Sequence, residues 1–191
     1  MTPDAALLTG GFADAPVQAA RGFRAILTAL SRPGHIVQLA GATPPAPLSP
    51  AAGAAALVLL DATTPLYLPP GHDTPALRAW LAFHTGAPLA GPEAAMFAIG
   101  TWAALQSLDR FATGTPDYPD RAATLIVETD RLEPVGAILR GPGIAGTARL
   151  SLPEIAAFRA NRARFPLGFD TLLTCGDRLA GLPRSTEVEA P

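Results

Sequence analysis

Apolar positions along the chain follow two periods, and the switches between them mark out its elements. Val17, Ala20, Phe23, Ile26, Leu27 and Leu30 recur at helical spacing, with Asp14 placed to cap the helix and Pro16 suited to its first turn. Pro33-Gly34 ends that helix, and 35–39 reads as a strand. A proline-rich connection, 43–50, leads into 51–60, an apolar run that suits a short buried helix or a strand. Its alanine-rich half favours the helix. Leu66-Tyr67-Leu68 reads as a strand before Pro69-Pro70. Thr74-Pro75 then opens a second helix whose Leu77, Trp80, Leu81 and His84 share a face, ended by Gly86 and Pro88.

The second half of the chain is richer in extended segments. Residues 94–99 and 122–128 are β-like, separated by a weakly periodic helical segment around 102–111 and a loop over 113–120. Another strand follows at 135–139, and 147–150 looks extended. Ser151-Leu-Pro-Glu154 reads as a capping box for a last helix that carries Arg159, Arg162 and Arg164 towards its end, the polarity a helix dipole favours. Segments 169–174 and 179–182 flank Gly176-Asp177, as in a terminal hairpin. Helices interleaved with about six strands, without an internal repeat or a linker, predict one layered α/β domain over 1–191 with a mixed sheet.

Composition narrows the chemistry. All 14 basic residues of the Lys+Arg count are Arg. Without lysine there is no Schiff base to pyridoxal phosphate, no lysine aldolase chemistry and no Walker-type phosphate loop. A net charge of −2 leaves no electrostatic footprint for nucleic acid. The one cysteine, Cys175, excludes an intramolecular disulfide and cysteine-rich zinc sites. The start Met1-Thr-Pro-Asp4 lacks the pattern of a secretory leader, and no apolar run reaches membrane-spanning length, so a cytoplasmic protein without membrane contact is expected.

Few residues stand out as chemistry. Gly141-Pro-Gly-Ile-Ala-Gly146 matches G-x-G-x-x-G after a strand, but no helix opens at its glycines, and a tight turn is the better reading. A smaller role remains, in which Arg140 and the backbone N–H groups of Gly141 and Gly143 hold a phosphate-like anion. His84, followed by Thr85, is either an acid–base or ligand residue at a helix end or a structural histidine near the core. Arg184, ahead of Ser185 and Thr186, suits an anion or an exposed loop. Cys175 is either a nucleophile or, more commonly for such a position, a buried inert thiol. Asp61 and Asp170 read as cap or turn acids. No histidine spacing marks a metal site.

Several segments taken together resemble the PhnH family, a subunit of the bacterial carbon–phosphorus lyase system for phosphonate use. They are Phe23-Arg24 through Ser31-Arg-Pro-Gly34, Phe83-His-Thr-Gly-Ala-Pro-Leu89, Thr113-Gly-Thr115 with Ala123-Thr-Leu-Ile126, and Gly141-Pro-Gly-Ile144. The closing block is Phe165-Pro-Leu-Gly-Phe-Asp170, Thr174-Cys-Gly-Asp-Arg-Leu179 and Pro183-Arg-Ser-Thr186. The stretches 43–50 and 9–15 fall outside these blocks. The resemblance implies a three-layer α/β/α domain similar to the large domain of PLP-dependent transferases but without the cofactor lysine. The apolar excess, 49% hydrophobic against 16% charged, adds the expectation of a homodimer when alone. The resemblance also implies assembly with PhnG, PhnI and PhnJ subunits. That set turns a phosphonate and MgATP into a ribose 1-phosphonate 5-triphosphate and then cleaves the carbon–phosphorus bond. A single cysteine cannot ligate an iron–sulfur cluster, so the radical step would fall to another subunit and this chain would be a non-catalytic, accessory one. The reading from a different class is a small stand-alone enzyme or binding protein for a phosphonate or phosphate ligand, with Arg140, Gly141, Gly143, His84 and Arg184 gathered in one cleft.

Overall fold

The computed structural model describes residues 9–191; the Met1–Asp4 start, on which the expectation of no leader rests, lies outside the described residues. Four helices and nine strands follow one another as α1 (Ala15–Ser31), β1 (Ile36–Gln38), α2 (Pro50–Leu59), β2 (Leu66–Tyr67), α3 (Pro75–Thr85), β3 (Phe97–Thr101), β4 (Thr124–Glu128), β5 (Ala137–Arg140), β6 (Ala148–Leu150), α4 (Ile155–Arg162), β7 (Asp170–Cys175), β8 (Arg178–Leu182) and β9 (Glu187–Glu189). Six strands form a mixed sheet in the order β1-β8-β7-β4-β3-β2, and β6-β5-β9 form a second sheet. Strands β2, β3, β4 and β7 run parallel, whereas β8 is antiparallel to both β7 and β1.

Each central strand divides its side chains between two cores, as the two-residue period of a strand requires. Ile99, Ile126, Leu172 and Leu179 face the core shared with α1, α2 and α3. Ala98, Leu125, Val127, Leu173 and Ala180 face the other core, closed by Phe158 of α4 and by Leu139, Leu150 and Val188 of the second sheet. Burial on both faces is why β4 reads as the continuous apolar run Leu-Ile-Val rather than as an alternation. Helices α1, α2 and α3 close the first core, whereas the second is closed by the short α4 together with the second sheet.

The local signal for α3 is as expected, and α2 uses the same device. Ser49 Oγ accepts from Ala52 N–H at 3.2 Å and Thr74 Oγ1 from Leu77 N–H at 3.2 Å, with Pro50 and Pro75 in the first turns. Gly86 ends α3 in the left-handed conformation at φ 69°. Helix α2 is the buried alternative for 51–60: residues 51–56 are all buried, so it shows no polar stripe.

Three expectations are corrected. Asp14 holds the N-cap position of α1 but makes no side-chain cap bond. The segment 102–111 forms turns and a single 3-10 turn at Leu108–Arg110, because its Leu105 and Phe111 go into the core from an irregular loop. Ser151 does not cap α4. Its hydroxyl accepts from Glu133 N–H at 3.0 Å and donates to the Arg131 carbonyl at 3.3 Å, while Glu154 occupies the cap position without a side-chain cap bond. Strand β9, absent from the reading, pairs with β5 through Glu187, Val188 and Glu189. One buried valine between two exposed acids is too short a pattern to stand out from a tail. Among the described residues no helix is long and apolar enough to cross a membrane.

Candidate functional site

In an open sheet with parallel strands, the carboxyl ends are where loops diverge and leave room for a ligand. Here those ends are Tyr67, Thr101, Glu128 and Cys175. Beside β3 and β4 lies a cavity of about 540 Å³, within the size range of small-molecule sites. Trp102, Glu128, Arg131, Val135, Ser151 and Ile155 contribute to its walls. Trp102 is held from two sides: its Nε1–H donates to Glu154 Oε2 at 3.0 Å, and its ring stacks on Phe158 with centroids 5.0 Å apart. Arg131 pairs with Glu133 at 2.6 Å on the exposed rim. Together they make a mostly apolar wall with an immobilised indole and a few polar groups at its edge.

Glu128 ties the cavity to the helix layer. One carboxylate oxygen accepts from Ser49 N–H at 2.7 Å, and the other from the Thr174 hydroxyl at 3.1 Å. The first contact sets a negative charge at the N-terminus of α2, where unpaired N–H groups and the helix dipole favour it. His72, in the turn after β2, is 5% exposed. Burial holds its imidazole below the ordinary value, and the field of Glu128 opposes that effect without overcoming it. Sequence reasoning passed over Glu128 and Trp102 as site residues. The available signal was an acid terminating an apolar run that the parallel sheet turns into a strand end.

The residues singled out from sequence are only partly brought together: Arg140 and Gly141 lie beside the 185–187 segment that follows Arg184, while His84 and Thr85 lie elsewhere. Arg140 is exposed at the end of β5, 3.5 Å from Glu189 of β9. Gly141 and Gly143, at φ 124° and 81°, lie in the connection between antiparallel β5 and β6, where no helix opens and no dinucleotide fingerprint forms. Arg184 follows β8 and is turned inward. Its guanidinium holds both oxygens of Asp170, at 3.1 and 2.6 Å, and donates to the Pro119 carbonyl at 2.6 Å. His84 and Thr85 end α3, on the opposite face of the central sheet from β5.

His84 packs against Trp80 and Phe83, each with ring centroids 4.9 Å away, and its buried Nε2 has no hydrogen-bond partner. Thr85 Oγ1 donates to the Leu81 carbonyl at 2.7 Å and accepts from Ala87 N–H at 3.1 Å. The six candidates therefore share no single cleft. Cys175, partly buried, lies 3.8 Å from a guanidinium nitrogen of Arg178, its partner across the β7–β8 hairpin. Asp61 closes an exposed turn: the hydroxyl and N–H of Thr63, each at 2.7 Å, hold its carboxyl below the usual range. Among the described residues no three His, Cys, Asp or Glu side chains gather as a metal site.

A mixed six-stranded sheet, helices on both of its faces and a ligand-sized cavity at the carboxyl ends define a layered α/β protein. Within that class the chain belongs to the PhnH family, whose model, described as bacterial phosphonate metabolism protein (PhnH), matches residues 10–189. It is 41% identical to the alpha-D-ribose 1-methylphosphonate 5-triphosphate synthase subunit PhnH of Rhizobium meliloti (strain 1021), over 99% of each chain. It is also 29% identical to the putative C-P lyase subunit protein HtxG of Stutzerimonas stutzeri, over 93% of this chain and 94% of that protein.

Proposed function

We propose that this chain is an accessory subunit of a carbon–phosphorus lyase complex. In this reading it supports formation of a ribose 1-phosphonate 5-triphosphate from a phosphonate and MgATP, and acts in the cytoplasm. The observation that carries the reading is the 41% identity to a PhnH synthase subunit across 99% of both chains. The partners in this reading are PhnG, PhnI and PhnJ equivalents, and the chain is a homodimer when alone. The iron–sulfur radical step resides in a partner, since one cysteine is too few to ligate a cluster, and this chain acts as a non-catalytic subunit. Similarity of the layered domain to the large domain of PLP-dependent transferases is part of the same proposal, supported by the six-stranded mixed sheet with helices on each face.

The test is co-expression of the tagged chain with the PhnG, PhnI and PhnJ equivalents of its source organism, followed by size-exclusion chromatography with light scattering. Stable co-elution is the expected result. A chain that elutes alone beside well-folded partners would overturn the subunit reading.

A further inference from the structure

The outer face of α1 carries an apolar stripe that the chain itself leaves uncovered. Pro16, Ala20, Phe23 and Leu27 are all exposed and recur at the spacing that places residues on one side of a helix. Phe23 and Leu27 are 55% and 54% exposed, large values for an aromatic and a leucine set side by side. One flank of the stripe turns into the protein through Ile26, which is 2% exposed. The other flank carries Arg24 and, a further step round, Arg21, both exposed. Neither has an ion pair among the described residues, and α1 contains no Asp or Glu from end to end.

That charge distribution selects the occupant. Antiparallel two-fold pairing of α1 with a second copy keeps each flank on its own side, so Arg21 and Arg24 of both copies would line one edge with no carboxylate from either helix to offset them. Parallel two-fold pairing would set the arginines against the other copy's apolar flank, leaving them unpaired as well. A different protein that lays apolar residues on Phe23 and Leu27 and carboxylates along the arginine flank satisfies both features.

We propose that the outer face of α1 docks an amphipathic helix of a different subunit, with apolar residues over Phe23 and Leu27 and Asp or Glu side chains beside Arg21 and Arg24. At 17 residues α1 is about 25 Å long, room for a partner helix of four to five turns. The inference rests on the accessory-subunit reading and names the surface by which that assembly forms.

The test uses the same co-expression with PhnG, PhnI and PhnJ equivalents. The wild-type chain is compared with a Phe23→Ser/Leu27→Ser variant and, independently, an Arg21→Glu/Arg24→Glu variant. All four positions are exposed, and circular dichroism with a urea midpoint checks that each variant is folded. We expect each variant to retain at least tenfold less partner than wild type while the mass of the free chain stays unchanged. Raising NaCl from ~0.05 to ~0.5 M should weaken wild-type association, since exposed charge pairs are screened. Association that survives both variants would overturn this inference and leave the subunit reading standing. A fall in the free chain's mass in the Phe23→Ser/Leu27→Ser variant would make a second copy the occupant and overturn it as well. Failure of the wild-type chain to associate would overturn the subunit reading and this inference with it.

Discussion

Glu128, at the carboxyl end of β4, accepts a 2.7 Å hydrogen bond from the backbone N–H of Ser49, 79 positions earlier in the chain. The contact joins the sheet to the start of α2, and with Thr174 on its other oxygen the carboxylate bridges three elements. Glu128→Ala should therefore lower stability by about 1–3 kcal/mol, since it strands a charge-assisted donor at a helix N-terminus. Glu128→Gln, which keeps one acceptor, should cost less. Urea midpoints of the two variants give the ordering; equal losses would mean that the carboxylate is not the bridging group.

His72 sets a pH dependence of defined sign. Burial lowers its folded pKa from the ordinary 6.5, and the one opposing charge felt is that of Glu128. The unfolded chain therefore binds a proton more readily than the folded one. Stability is full above about 6.5 and falls as pH drops below it, by at most about 1.4 kcal/mol per pH unit, until the folded imidazole itself protonates. Urea midpoints between about pH 5.5 and 8 should show this slope in the wild type and a flatter profile in His72→Gln. An identical slope in both would assign the dependence to other groups.

The Arg184–Asp170 pair, with side chains 12% and 28% exposed, binds the segment after β8 to the start of β7 and to the Pro119 carbonyl. Removing either side chain leaves the other's charge poorly solvated and without its counter-ion. Arg184→Ala and Asp170→Ala should each destabilise by about 2–4 kcal/mol. Arg184→Lys should recover little of that, because one ammonium cannot make the forked contact. A double-mutant cycle measures the coupling, and additive losses would refute it.

Gly143 separates two costs that glycine substitutions usually mix. A Cβ there would meet the Ser31 carbonyl oxygen at 1.9 Å, whereas one at Gly146 would meet nothing within 4 Å, although both residues have positive φ, 81° and 80°. Gly146→Ala should cost only the left-handed penalty, about 1 kcal/mol. Gly143→Ala should cost about 2 kcal/mol more, since backbone of α1 or of the loop must move. Similar melting temperatures for the two variants would show that the approach to Ser31 is not tight in solution.

Much of the secondary structure was legible because its causes are local. Thr74-Pro75 and Gly86 bound α3 through a hydroxyl on a backbone N–H and a left-handed residue, both encoded within a few positions. The apolar run over 122–128 marked β4 as extended, and the structure shows it buried on two faces. The misreadings share the opposite cause. Ser151 has the letters of a capping box, but its hydroxyl is taken by Glu133 and Arg131, which the chain brings alongside from an earlier connection. The segment 102–111 has helical spacing, yet the core it must fill, against Tyr67 and Phe158, holds it as turns.

The sequence by itself determined most of the helical and extended segments, where many of them stop, the absence of lysine chemistry and, through collinear blocks, the family. Only the tertiary structure decided what meets what: Glu128 with Ser49, Arg184 with Asp170 and Pro119, Gly143 with Ser31. It also placed His84 and Arg140 on opposite faces of one sheet and left Phe23 outside while burying Ile26 one turn along. The physical reason is that periodicity and capping act within a turn or two of chain. The order β1-β8-β7-β4-β3-β2 is set by which apolar faces pack best across the whole molecule, and no local pattern encodes it.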